Sequence, residues 1–279
     1  MNNSAQLDQA GLAIVKPAVD AGLLELKTQL ENFWHQPVEQ TASARAAESE
    51  VKRLAGVFTM LGLDGLAVYC SEIQAVLSEL VSYPESATTV HREGLDAALQ
   101  TLAQYLEDIS LGAHNATLGL FSRYQQLQHI RGLEMSFELD LFFPNLNVVL
   151  PASVLDPVQV DHHQTQLKAA RAQYQQGLLN YIRQNDVNSS LHVMQQAVLS
   201  VMTAVPADRR AYWWVSAGLF DCLAAQNLPM GLNVPKMLGR IDQQMRALLA
   251  GKAIEEQPEL HQMLYLIARS EMKSDGLPA

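Results

Sequence analysis

Apolar residues recur at spacings of three and four along almost the whole chain, and glycine or proline falls between these runs. Short alternating strands do not produce that pattern, whereas a 3.6-residue repeat gathers such residues into one stripe per helix. The expected class is therefore all-α. Val19, Leu23, Leu26, Leu30 and Phe33 predict a helix over 19–34, with Pro17 in its first turn and His35-Gln36-Pro37 at its end. Ala44, Ala47, Val51, Leu54, Ala55, Phe58 and Leu61 predict a second over 41–61, broken by Gly62. Leu66, Cys70, Ile73, Leu77 and Leu80 predict a third over 63–81, stopped by Tyr83-Pro84, because proline disfavours helix in the residue before it. A fourth is expected over 86–109 and a fifth over 115–135. Amphipathic helices joined by short loops suit an antiparallel bundle.

The stretch 136–159 differs. Phe137, Leu139, Leu141, Phe142, Phe143, Leu146, Val148, Val149, Leu150 and Leu155 are apolar, yet Pro144, Pro151 and Pro157 forbid one continuous helix. Flexible linkers are usually polar, so this connector is expected to lie pinned in an apolar groove between or across helical units. It separates an expected bundle at 1–135 from a second at 160–279, whose helices are placed at 160–184, 187–204, 207–225, 234–250 and 256–272. Residues 273–279 have the character of a linker.

Composition narrows the function. The 279 residues are 48% hydrophobic and 17% charged, enough to bury a sizeable core. A net charge of −10 argues against nucleic-acid binding, which needs a basic face to displace counterions from phosphates. Cys70 and Cys222 lie far apart and form no CxxC pair, so neither a disulfide framework nor a structural zinc site is indicated. No signal peptide and no membrane span are predicted, and the expected setting is the cytoplasm.

Chemistry-bearing motifs are tested by spacing. The chain has no GxxxxGK[ST] or GxGxxG loop to cradle phosphates and no HExxH for zinc, and no histidine follows a glutamate by three residues as in a di-iron bundle. Cofactor and metal are both expected to be absent. Glu31 and His35 have the spacing of a solvated i, i+4 pair. His162-His163 follow Asp161, but adjacent helix residues point about 100° apart and chelate poorly. Trp213-Trp214 read as one buried and one half-exposed aromatic. Lys168, Arg171, Arg183, Arg209 and Arg210 form either a solvated face or a surface for an acidic partner.

Lys52-Arg53-Leu54-Ala55-Gly56-Val57-Phe58-Thr59-Met60-Leu61-Gly62-Leu63, followed by Leu66 and Cys70-Ser71-Glu72-Ile73, resembles the core of a histidine phosphotransfer (Hpt) domain. Gly56 and Leu61-Gly62-Leu63 match that family's pattern. The phosphorylatable histidine does not: its place is taken by Lys52, and the family's lysine by Ala55. Neutral imidazole accepts a phosphoryl group near pH 7, whereas an exposed lysine is almost wholly protonated and has no free lone pair. Gly56 shares a helix face with Lys52, and two readings stand for it: a groove for an acidic receiver domain, or close helix packing.

Beyond that motif, the chain resembles the N-terminal region of the ChpA/PilL hybrid chemosensory kinases of type IV pilus (twitching) systems, and the related FimL protein. The matching stretches are Val15-Lys16 through Phe33, Lys52 through Ile73, Glu138-Leu139-Asp140-Leu141-Phe142-Phe143-Pro144-Asn145-Leu146, and Ile182-Arg183-Gln184-Asn185-Asp186 through Leu191. The resemblance implies a full-length relative with several phosphotransfer-like domains, a CheA-type kinase core and receiver domains. None of the kinase core's motifs occurs here. The expectation is a non-enzymatic region of two divergent Hpt-like bundles in two-component chemosensory signalling, with Lys52, Ala55, Gly56 and Thr59 as binding residues. Its expected partners are response-regulator receiver domains or chemosensory and pilus scaffold proteins. The alternatives are a working phosphorelay domain using His192, where Gln195 and Gln196 stand for the family's lysine and glycine, and a structural unit that forms a homodimer.

Overall fold

The computed structural model describes residues 3–113, 115–144, 146, 149–155, 163–225, 234–252 and 257–270. Among them there are helices and no strand, as the periodicity requires. The chain divides into two compact units, Met1–Asn147 and Val148–Ala279.

The first unit contains α1 (Asn3–His35), α2 (Thr41–Met60), α3 (Asp64–Ser82), α4 (Thr89–Ser110) and α5 (Phe121–Ile130). In it, α1 packs on α2 and α4, α2 on α3, and α5 on both α3 and α4. All five residues of the stripe expected for α1 are buried, as are all five of that expected for α3. Tyr69 is buried at the centre, and its hydroxyl donates to the Ala98 carbonyl across α3 and α4 (3.2 Å).

Three expectations need correction here. The first helix begins at Asn3 instead of residue 19, so Pro17 sits inside it. Leu12 is buried and Gly11 lies against Leu61, which holds the earlier turns to the bundle, while Pro17 itself is exposed. The fourth helix begins at Thr89, after a separate 3-10 turn at Pro84–Ser86. The fifth is limited to Phe121–Ile130, preceded by a 3-10 turn at Thr117–Leu120 and ended by Gly132 at φ +76°.

The connector's first part folds onto this unit. Glu138–Leu141 form a 3-10 turn, Leu141 is buried, and its carbonyl accepts from the Thr117 hydroxyl at 2.6 Å. Not every apolar connector residue is covered, since Phe137 and Val149 are exposed. Asn145, Asn147, Val148 and residues 156–159 lie outside the described residues, as does the linker reading of residues 273–279.

The second unit contains the short α6 (Ala152–Leu155), then α7 (His163–Ile182), α8 (Val187–Ala204), α9 (Arg210–Ala224), α10 (Val234–Leu249) and α11 (Gln257–Arg269). Here α8 joins α7 to α9, α10 packs on α7 and α11 on α9. Gly177 permits the α7–α8 crossing, because a Cβ there would stand 2.8 Å from Met194 Cγ. A bidentate Arg171–Asp242 pair (2.9 and 3.1 Å) and the Tyr174 hydroxyl on the Leu238 carbonyl (2.9 Å) tie α7 to α10.

Helix ends reuse one backbone device. After α2, the Leu63 N–H donates to the Phe58 carbonyl (2.8 Å) and the Gly62 N–H to that of Thr59 (3.1 Å), with Gly62 at φ +72°. This is a Schellman cap, and it gives Leu61-Gly62-Leu63 a structural role of its own. After α7 the same cap is made without glycine: Asn185 donates to Asn180 (2.9 Å), Gln184 donates to Tyr181 (3.0 Å), and Gln184 stands at φ 58°. Asp186, also left-handed, then caps α8 by accepting from the Ser189 N–H (3.2 Å). A side chain in this region costs about 1 kcal/mol. Urea denaturation should therefore show Gly62→Ala destabilised by about 1 kcal/mol and Gln184→Gly stabilised by somewhat less, since glycine's entropy cost offsets part of the relief.

Candidate functional site

The outward face of α2 is built by the same periodicity that buries its core stripe. Ala44, Ala47, Val51, Leu54 and Phe58 point inward, which leaves Arg45, Ser49, Lys52, Gly56, Thr59 and Met60 exposed. Ala55 is half-buried at the edge of this face, and its carbonyl accepts from the Thr59 hydroxyl at 3.0 Å. The structure thus brings Lys52, Ala55, Gly56 and Thr59 onto one side of one helix. A Cβ built on Gly56 would meet nothing within 4 Å, so close packing does not account for this glycine. It leaves an open dip one turn beyond the Lys52 ammonium.

Charge is distributed unevenly around this face. The first unit carries eighteen acidic and eight basic side chains, the whole net charge of −10, whereas the second carries eleven of each. Three of those eight cations, Arg45, Lys52 and Arg53, belong to α2. Arg53 is turned toward α1 and held by Glu50 (2.5 and 2.9 Å), and that guanidinium keeps the Glu50 carboxyl below the usual carboxylate range. Neither Arg45 nor Lys52 makes an ion pair among the described residues. Sequence reasoning missed Arg45, although its place two helical turns before Lys52 is a signal of a shared face.

His192 is exposed on α8, as is Gln196. Gln195 is not free to serve a bound phosphoryl group, because its amide donates to Asp221 Oδ1 (2.6 Å) and to the Ala217 carbonyl (3.2 Å) on α9. Trp213 is fully buried and Trp214 is 36% exposed, as the sequence reading has it. The basic set of the second unit is corrected at two positions. Arg171 is paired with Asp242, and Arg210 is buried, donating to the carbonyls of Val205 (3.1 Å) and Val154 (2.7 Å). Lys168, Arg183 and Arg209 are exposed. Glu31 and His35 are both exposed and form no ion pair with each other. The His162-His163 pair lies outside the residues described at side-chain level. Among the described residues, no group of histidine, cysteine and carboxylate side chains is placed to hold a metal ion, and no helix is long and apolar enough to cross a membrane.

With this geometry in view, two comparisons bear on function. Residues 159–278 match the family model described as the FimL scaffold protein second domain. Over 269 residues the chain is 23% identical to the scaffold protein FimL of Pseudomonas aeruginosa, covering 93% of this chain and 47% of that protein. The chain is similar to FimL. It spans about half the length of this curated relative, and no solved structure matches it.

The two cysteines are closed to solvent. Cys70 and Cys222 are both buried, and burial pushes the Cys70 thiol up to about 12 and raises that of Cys222. A buried, protonated thiol is a poor nucleophile. Ellman's reagent at pH 8 should therefore leave both thiols unmodified in the folded protein and titrate both once urea has unfolded it.

Proposed function

We propose that this chain is a non-catalytic, cytoplasmic scaffold region of a two-component chemosensory system serving type IV pili, built from two divergent Hpt-like bundles. It binds receiver domains or scaffold proteins through the outer face of α2. The observation that carries this reading is the open Lys52–Gly56–Thr59 face, where a phosphotransfer domain would carry its histidine. An ammonium there attracts a carboxylate cluster yet accepts no phosphoryl group, so docking is kept without chemistry. Arg45 adds a second cation to the same side of α2, with Glu48 at its edge, on an otherwise acidic unit. The similarity to a scaffold protein supports an interaction role, and the resemblance to the leading region of pilus chemosensory kinases supports the pathway.

The test is a calorimetric titration with the cognate receiver domain. Arg45→Glu with Lys52→Glu should weaken binding by about tenfold, roughly 1.4 kcal/mol. Gly56→Arg, which has free space to occupy, should do the same by filling the dip, with helical circular dichroism unchanged in both variants. Wild-type affinity in both variants would refute the assignment of this face.

A further inference from the structure

A groove of about 530 Å³ runs between α4 and the 3-10 turn that leads into α5. One wall is a stripe of α4 residues four apart, Gln100, Gln104 and Asp108, which spans about 12 Å. The other wall is Gly119 and Arg123, and Leu120, fully buried, forms part of the floor. This length accommodates about four residues of extended chain at ~3.3 Å each. The α2 face contributes nothing to it.

The chemistry of the walls is bifunctional. The Gln100 amide makes no hydrogen bond among the described residues, so its N–H donors and carbonyl are both available. Gln104 gives one N–H to Asp108 Oδ1 (2.8 Å) and keeps its carbonyl. Asp108 has no cation beside it and Arg123 no carboxylate: Arg123 donates only to Gln126 Oε1 (2.9 Å). Gly119 keeps the opposite wall low, since a Cβ there would meet nothing within 4 Å. Such walls suit a ligand that alternates donors and acceptors and carries charge of both signs. A helical partner satisfies its own main chain internally, whereas an extended one does not.

We propose that the α4–α5 groove binds an extended, polar segment of a partner polypeptide. The amides of Gln100 and Gln104 clasp its main chain, Arg123 takes an acidic side chain and Asp108 a basic one. Ala97, Tyr105 and Leu120 give the floor an apolar surface, and the hydrogen bonds and the two charges of the rim select which segment lies on it. This site is independent of the α2 face, so either can fail alone.

The full chain, immobilised, is panned with a phage-displayed random heptapeptide library, and the enriched peptides are synthesised and titrated. The expected peptides carry at least one acid and one base and bind with micromolar Kd. Gly119→Trp, which fills the groove from an exposed position, should raise that Kd at least tenfold. Gln100→Ala with Gln104→Ala, both exposed, should do likewise, and this pair decides the matter should the tryptophan variant unfold. No enrichment above background, or peptides whose Kd is unchanged in the glutamine variant, would overturn the proposal.

Discussion

Each unit depends on one helix that supplies a large share of its buried core. In the first unit it is α3, which buries Leu66, Tyr69, Cys70, Ile73, Val76, Leu77 and Leu80 and even carries a buried carboxylate, Glu72. In the second it is α9, which buries Tyr212, Trp213, Val215, Ala217, Leu219, Phe220 and Cys222 and leaves Trp214, Asp221 and Ala224 exposed. Burial of these apolar side chains is the main stabilising term, at about 25 cal/mol per Å² removed from water. The constraint carries over to function. The residues that fill the core are closed to a partner, which can meet only the outward faces of the helices, among them those of α2, α4 and α8.

Burial also sets conditions for the polar groups it traps. Glu72 is buried only because Arg131, just beyond α5, reaches it at 2.6 Å and spans on to Glu79 at 2.8 Å. An unpaired carboxylate in that position would be strongly destabilising. Arg210 solves the same problem in the second unit by donating to backbone carbonyls, and it thereby fixes α6 against α9. These two arginines are structural, which is why a count of basic residues on a helix overstates the surface offered to a partner.

The helical class and the core stripes were legible in the sequence because a 3.6-residue apolar repeat survives any arrangement of neighbours. Helix ends were less so. Pro17 reads as a start signal by its missing N–H, yet tertiary contacts at Gly11 and Leu12 carry the helix sixteen residues further back than expected. Gln184 gives no sequence sign of a left-handed conformation, because its cap is set by the α7–α8 reversal and not by residue type. At the candidate site, the shared face of Lys52, Gly56 and Thr59 followed from spacing alone. The open space beside Gly56 did not, because it depends on where the neighbouring helices lie, whereas the Arg53–Glu50 pair has the i, i+3 spacing of a single helix.

The central claim is that this chain keeps docking and has lost phosphoryl chemistry. Incubation with a phosphorylated cognate receiver domain, with the acid and base stability of any transferred label recorded, tests it most directly. The account predicts receiver binding with no label on the chain. An acid-labile, alkali-stable label that disappears in His192→Gln would contradict it and make the second unit a working phosphorelay domain.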